Sequence, residues 1–193
     1  LSDYIAKPLS RVEIRRVALI FKKYFGYENK LYFPVEEVIE KMQDEFSEYG
    51  FNFEIVEDKY FANSVQGDTD VMNHYIRIKE SVYDNACKGD GTARFSIAHE
   101  MGHYVLMCLA EVGFQRNLIK RPVEAYEDPE WQANCFAGEL LMPYTFIQDM
   151  SVIEIMGKCN VSYTAANYQK NHIQLEKNSD STTVTILDRK YDG

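Results

Sequence analysis

The sequence predicts an α+β domain in which a small antiparallel or mixed sheet packs against one buried helix and several further helices. Three observations carry this. Apolar residues recur at helical spacing through the first fifty residues, the period falls to two between about residues 51 and 79, and helical spacing returns over about residues 92–142. The chain has 193 residues, which suits one domain, and no repeat, low-complexity tract or Gly/Ser linker divides it. The expected organisation is a single domain over residues 1–193. N-terminal helices fill about residues 10–49, the sheet about 51–79, the functional helices about 92–142, and a C-terminal helix and tail 143–193.

Each element has a local reason. Ile14, Val17, Ala18, Phe21 and Phe25 share one helical face, and Gly26 can stop that helix, giving a first helix over about residues 10–25. Arg11, Arg15, Arg16, Lys22 and Lys23 occupy its other sides and read as a solvated face. A second helix fits residues 34–49. Pro34 suits a first helical position, Glu36 and Glu37 favour the positive end of the dipole, and Gly50 follows. Phe51, Phe53 and Ile55 alternate with polar residues as in a strand, and residues 60–66 offer a second. Gly67-Asp68-Thr69-Asp70 reads as a turn into a third strand over residues 71–79, with Ile76 and Ile78 on one face, so a hairpin or meander is expected. Gly89-Asp90-Gly91 punctuates the chain before a helix over about residues 92–109 that is apolar on nearly every side. Further helices fit residues 129–142, closed by Pro143, and 162–177. The β-branched tail at 182–187 reads as a returning strand.

Composition narrows the function. Apolar residues at 46% and charged residues at 26% are those of an ordinary globular protein. A chain of this length buries roughly 70% of its unfolded surface, so its core needs no metal or disulfide, and a metal here is expected to do chemistry. Lys and Arg total 21 against 30 Asp and Glu, a net charge of −9. That balance argues against direct nucleic-acid binding, though not against a protein partner that binds DNA. No apolar run reaches the length of a membrane span, and charges interrupt the first 26 residues too often for a signal peptide. Cys87, Cys108, Cys135 and Cys159 are irregularly spaced with no CxxC pair, as expected for free thiols in a cytoplasmic protein.

Within the buried helix lies His99-Glu100-Met101-Gly102-His103, an HExxH motif. Side chains four apart share a helix face about 6 Å apart along the axis, so two imidazoles can converge on one ion. Glu100 stands beside that face, where its carboxylate can take a proton from a water that the metal activates. Composition alone would produce this pattern in roughly 1 in 100 such chains. A catalytic metal site needs a third protein ligand. Glu130 opens the later helix and can supply it, with Glu127 as the alternative. Asn134, four residues after Glu130 on the same face, can accept a hydrogen bond from the outer nitrogen of a ligating histidine.

Phe95-Ser96-Ile97-Ala98-His99-Glu100-Met101-Gly102-His103, followed by Glu130-Trp131-Gln132-Ala133-Asn134-Cys135-Phe136-Ala137-Gly138-Glu139-Leu140-Leu141-Met142-Pro143, resembles the ImmA/IrrE family of bacterial metallopeptidases. The second block, E-x-x-A-N-x-F-A-x-x-L-L-M-P, is much more specific than HExxH alone. The clear match covers about residues 73–145. The resemblance implies a zincin-like fold of the gluzincin kind, with His99, His103 and Glu130 as metal ligands and Asn134 behind a ligating histidine. It implies a zinc metallopeptidase that cleaves a cognate helix-turn-helix repressor and so releases genes of mobile elements or stress responses. Many relatives carry a DNA-binding domain on the same chain. This sequence shows none, which points to a separately encoded partner.

The expected chemistry is peptide hydrolysis with Glu100 as general base and Zn2+ as the cofactor, although Mn2+ or Fe2+ suits the same donors. The strand near residues 73–79 is expected to be an edge to which an extended substrate adds. A non-catalytic, metal-bound antirepressor that sequesters a regulator is the alternative. His74 and His172 read as structural or exposed. Cys108 and Cys135 each follow a ligand by five residues, which turns them about 140° off the ligand face.

Overall fold

The computed structural model describes residues 4–110, 114–116 and 124–191. In chain order the elements are β1 (Tyr4–Ala6), α1 (Arg11–Tyr24), α2 (Val35–Glu45), β2 (Asn52–Val56), β3 (Gly67–Asp70), β4 (Tyr75–Lys79), α3 (Glu80–Cys87) and α4 (Gly91–Tyr104). They continue as β5 (Phe114–Arg116), α5 (Pro129–Leu141), α6 (Tyr144–Ile147), α7 (Val152–Cys159) and α8 (Tyr163–Tyr191). A small mixed sheet lies among many helices, the α+β architecture expected.

Local chemistry fixes the helix starts. Ser10 caps α1: its hydroxyl accepts from the Glu13 amide while the Glu13 carboxylate accepts from the Ser10 amide. Such a box is worth about 1 kcal/mol. Pro34 is the cap residue of α2, which gives way at Glu45 to a 3-10 turn, Ser47–Tyr49, closed by Gly50 at φ 79°. Asp90 caps α4 by accepting from the Ala93 amide at 2.7 Å. Gly91 must lack a side chain, because a Cβ there would lie 2.5 Å from the Val161 carbonyl carbon. The short linker joining α7 to α8 is thereby seated against the start of α4.

The sheet departs from the expected meander. Its order is β2-β4-β3, with β2 parallel and β3 antiparallel to β4. The segment read as a turn, Gly67–Asp70, is therefore a strand, and the turn lies four residues later. Asp70 makes it by accepting from the Met72 and Asn73 amides, each at 3.0 Å. Gly and Asp disfavour strands, yet four ladder positions against β4 and the Arg77–Asp68 ion pair override that preference. Residues 60–66, expected as a strand, form the end of a 3-10 turn and a loop. The strand near residues 73–79 is not an edge either: β4 is central, and β3 is an edge. Ile76 and Ile78 point from β4 into the core as expected, both without exposure.

The C-terminal expectation also changes. Backbone at 182–187 continues α8 instead of returning as a strand. A strand needs a neighbour for its hydrogen bonds, whereas a helix makes its own. The basic side of α1 is the last correction. Arg16 and Lys23 are exposed, but Lys22 is fully buried and Arg11 and Arg15 turn inward onto Glu139. Glu139 has no exposed side-chain surface. Its carboxylate accepts from Arg15 at 2.9 and 3.2 Å and from Arg11 at 3.3 Å. Arg15 also pairs with Glu176 of α8 at 2.9 Å. These charges lock α1 and α8 onto α5, so they do not form a basic patch.

Candidate metal centre

Helix α4 ends on the HExxH segment, and its interior position follows from composition: Ile97, Ala98, Met101, Gly102 and Tyr104 are all buried. Helix α5 packs directly against it. A Cβ on Gly102 would stand 3.0 Å from the Ala133 carbonyl oxygen and 3.1 Å from the Ala133 Cα, so the glycine sets how closely the two helices approach. Ala133 lies one residue before Asn134 and three after Glu130, which brings both side chains to the HExxH face.

The two imidazoles and Glu130 meet there. His99 Nε2 and His103 Nε2 are 3.1 Å apart. Glu130 oxygens lie 3.2 Å from His99 Nε2 and 3.5 Å from His103 Nε2. Among the described residues, the group of His, Cys, Asp and Glu side chains that could hold an ion is His99, His103 and Glu130. These donors fit a metal. With bonds of 2.0–2.1 Å and tetrahedral angles, neighbouring ligand atoms stand about 3.3 Å apart. The three observed separations bracket that value. Two imidazole lone pairs this close repel each other unless a proton or a cation lies between them. Glu127, the alternative ligand, is outside the cluster, as are Cys108 and Cys135. Cys135 instead receives the Arg11 guanidinium at 3.4 Å, and all four cysteines are free thiols.

The surroundings prepare the donors. Asn134 Oδ1 lies 3.0 Å from His99 Nδ1. Accepting that proton fixes the tautomer that leaves Nε2 free for an ion. His103 Nδ1 is buried with no hydrogen-bond partner among the described residues. Before a metal binds, hydrogen bonds from His103 and His99 hold the Glu130 carboxyl well below the usual carboxylate range. For His99, burial disfavours the charged ring, but the Glu130 contact and the Glu100 and Glu130 charges outweigh it and the net shift is upward.

Glu100 sits beside the three donors. Burial raises its pKa against the pull of both histidines and of Thr69. Thr69 Oγ1 lies 2.8 Å from Glu100 Oε2 and 3.0 Å from the Glu100 carbonyl oxygen, so its single proton is shared between two acceptors. Thr69 comes from β3, the strand read as a turn, so sequence reasoning missed it. Gly67 of the same strand was missed too. A Cβ there would stand 2.7 Å from the Arg77 carbonyl oxygen and 3.3 Å from Glu100 Cγ. The glycine lets β3 lie flat over the carboxylate. A cleft of about 310 Å³ opens between residues 64–67 and the side chains of His99, Glu100 and Asn134. His74 and His172 stay away from this centre: His74 faces the Tyr104 ring, and His172 faces Tyr168.

No curated protein matches the chain. A solved structure titled Mycobacterium tuberculosis transcriptional regulator is similar, with 14% identity and a TM-score of 0.53. The match covers 80% of this chain and 45% of that one. The likeness is one of fold, and this chain spans less than half of that protein's length. No helix of the described residues is long and apolar enough to cross a membrane. The sequence model of the peptidase M78 family, described as an IrrE N-terminal-like domain, matches residues 60–169, which span α4, α5 and every residue of the centre. A converging His-His-Glu cluster with a buried carboxylate beside it, inside a match over more than half of the chain, leads to one conclusion: this chain belongs to the peptidase M78 family.

Proposed function

We propose that this chain is a zinc-dependent endopeptidase of the cytoplasm that hydrolyses one peptide bond in a separately encoded helix-turn-helix repressor, and so releases the genes that repressor holds silent. The observation that carries the reading is the convergence of three donor atoms from α4 and α5 with Glu100 at their side. A zinc ion held by His99, His103 and Glu130 would supply Lewis acidity, acidifying water and polarising a carbonyl. Glu100 is the proton carrier: it takes a proton from the attacking water and delivers it to the departing amine nitrogen. Thr69 holds the carboxylate in place, and Asn134 holds the His99 ring.

Strand β3 gives the substrate a place to lie. It is an edge of the sheet, it touches Glu100 through Thr69, and residues 64–67 wall the cleft. An extended segment adding to that edge would run past the catalytic carboxylate. Arg11 and Arg15 of α1 are engaged with Glu139, Lys22 is buried, and the net charge is −9, so specificity for a DNA-binding protein is read from the protein and not from DNA.

The test is Glu100→Gln. It keeps the ligands and removes the proton carrier. The variant should bind one equivalent of zinc with near wild-type affinity while repressor cleavage falls by at least about a thousandfold, judged by mass spectrometry. Full derepression by this variant in cells would favour the sequestering antirepressor instead.

A further inference from the structure

The cleft beside Glu100 does not end at Asn134. Phe95, Ser96 and Asn134 form a shared wall between it and a second, larger cavity of about 580 Å³. The floor and sides of this cavity are Phe95, Trp131, Met142, Ala165 and Tyr168, drawn from the first turns of α4, from α5 and its C-terminal cap, and from the start of α8. None of its lining side chains carries a charge, although a quarter of the chain's residues do. Its polar groups are hydroxyls and amides. One of them, Asn134, is also the residue that orients His99.

The cavity is built, not left over. Gly138 gives α8 room against α5, since a Cβ there would lie 2.9 Å from Gln169 Oε1. Gln169 is itself tied down. Its Oε1 accepts from Arg11 at 2.8 Å, and its Nε2 donates to the Met142 carbonyl at 3.3 Å. The Arg11–Glu139–Arg15 cluster thus fixes the far wall of the space.

We infer that this cavity is the specificity pocket of the peptidase, which receives a large uncharged, apolar side chain from a residue flanking the scissile bond. The inference rests on the proposed hydrolytic function. A charged side chain entering here would lose its water and find no counter-charge. A small one would leave the aromatic walls unfilled. A leucine or phenylalanine fills space that Phe95, Trp131 and Tyr168 already shape, and single apolar groups in such pockets discriminate by tenfold to a few hundredfold.

Trp131 is the chain's single tryptophan, so its fluorescence reports occupancy of the pocket directly. Three blocked pentapeptides, Ala-Ala-X-Ala-Ala with X as Leu, Ala or Asp, serve as probes. With zinc-loaded Glu100→Gln protein, the Leu peptide should shift Trp131 emission at a concentration at least tenfold lower than the Ala peptide, with Asp weaker still. Wild-type protein should hydrolyse the Leu peptide at a bond flanking X. Ala165→Leu, which fills the cavity, should shrink the Leu-over-Ala ratio to below threefold. Should that variant not fold, Tyr168→Ala removes an exposed wall and should shrink the same ratio.

Equal emission responses to all three peptides, or hydrolysis that ignores X and is unaltered by either variant, overturns the pocket while leaving the peptidase standing. A Leu-selective emission change with no hydrolysis by wild-type protein upholds the pocket and removes the peptidase. Silence in both assays ends both.

Discussion

The approach of α4 to α5 at Gly102 determines whether Glu130 reaches the histidines, and Gly102→Ala perturbs it by one methyl group. The added carbon would meet Ala133 O at 3.0 Å, Ala133 Cα at 3.1 Å and Phe136 Cδ1 at 3.2 Å. Relaxed contacts of this kind lie near 3.5 Å or beyond. Two of the three obstacles are backbone atoms of α5, so that helix must retreat by a few tenths of an ångström between Glu130 and Asn134. Overpacking of this size costs about 1–3 kcal/mol, against about 1 kcal/mol gained by replacing a helical glycine. The metal-free protein should therefore lose at most about 2 kcal/mol and melt a few degrees lower. The site should suffer more. Glu130 would withdraw from histidine nitrogens now 3.2 and 3.5 Å away. Each 1.4 kcal/mol of lost coordination weakens binding tenfold, so zinc affinity should fall about 10- to 100-fold. Competition against a chelator of known affinity, with melts of metal-free and zinc-loaded protein, reads both effects. Unchanged affinity and unchanged melting would mean that the two helices do not meet as described.

Three further outcomes follow from named contacts. Asn134→Ala should weaken zinc binding about tenfold to a hundredfold by freeing the His99 ring, and Asn134→Asp should restore it, both by the same competition assay. Glu139→Ala removes the carboxylate that Arg11 and Arg15 share, leaving Arg15 with Glu176 and Arg11 with Gln169, and should lower stability by about 2–3 kcal/mol in denaturant titration. Lys22→Met should raise stability. Lys22 is fully buried, with Nζ 3.4 Å from the Leu140 carbonyl and 5.1 Å from the Phe33 ring centroid, and burial pulls its pKa from 10.5 to about 8 despite an opposing effect from Cys159. That depression corresponds to about 3 kcal/mol lost at neutral pH, partly offset by about 1 kcal/mol of hydrogen bond. The folded lysine gives up its proton near pH 8 while the unfolded one keeps it to 10.5, so wild-type stability should climb between those values and the advantage of Met should narrow. Melting curves from pH 7 to 10 decide it.

Much of the centre could be read from residues close in sequence. His99 and His103 are fixed relative to each other by helix geometry alone, and Glu130 and Asn134 likewise, so only the meeting of two helices remained to be found. The paired small residues Gly102 and Ala133 make that contact, but nothing in the local pattern says which helix a glycine will face. Strand β3 was illegible for a different reason. Gly67-Asp68-Thr69-Asp70 has turn composition, and its ladder with β4 is a tertiary fact. Thr69 was lost with it. Strands β1 and β5, three residues each, are too short to show a period. Helix α3 has eight residues, of which Val82 and Ala86 are buried. That is two turns of pattern, easily absorbed into the strand before it. The α1 charges held a usable signal. Glu139 stands alone in the apolar run Phe136-Ala137-Gly138-Glu139-Leu140-Leu141, and a carboxylate in a buried helix needs basic partners. The arginines of α1 are candidates for that role before they are candidates for solvent.

The proposed chemistry depends on one ion held by nitrogen and oxygen donors from α4 and α5. Zinc K-edge X-ray absorption on protein loaded with one equivalent tests this most directly. It should show four nitrogen or oxygen neighbours at about 2.0–2.1 Å with imidazole outer-shell scattering from two rings, and loss of that signature in Glu130→Ala. A sulfur neighbour near 2.3 Å, or a spectrum that Glu130→Ala leaves unaltered, would place the metal elsewhere and contradict the account.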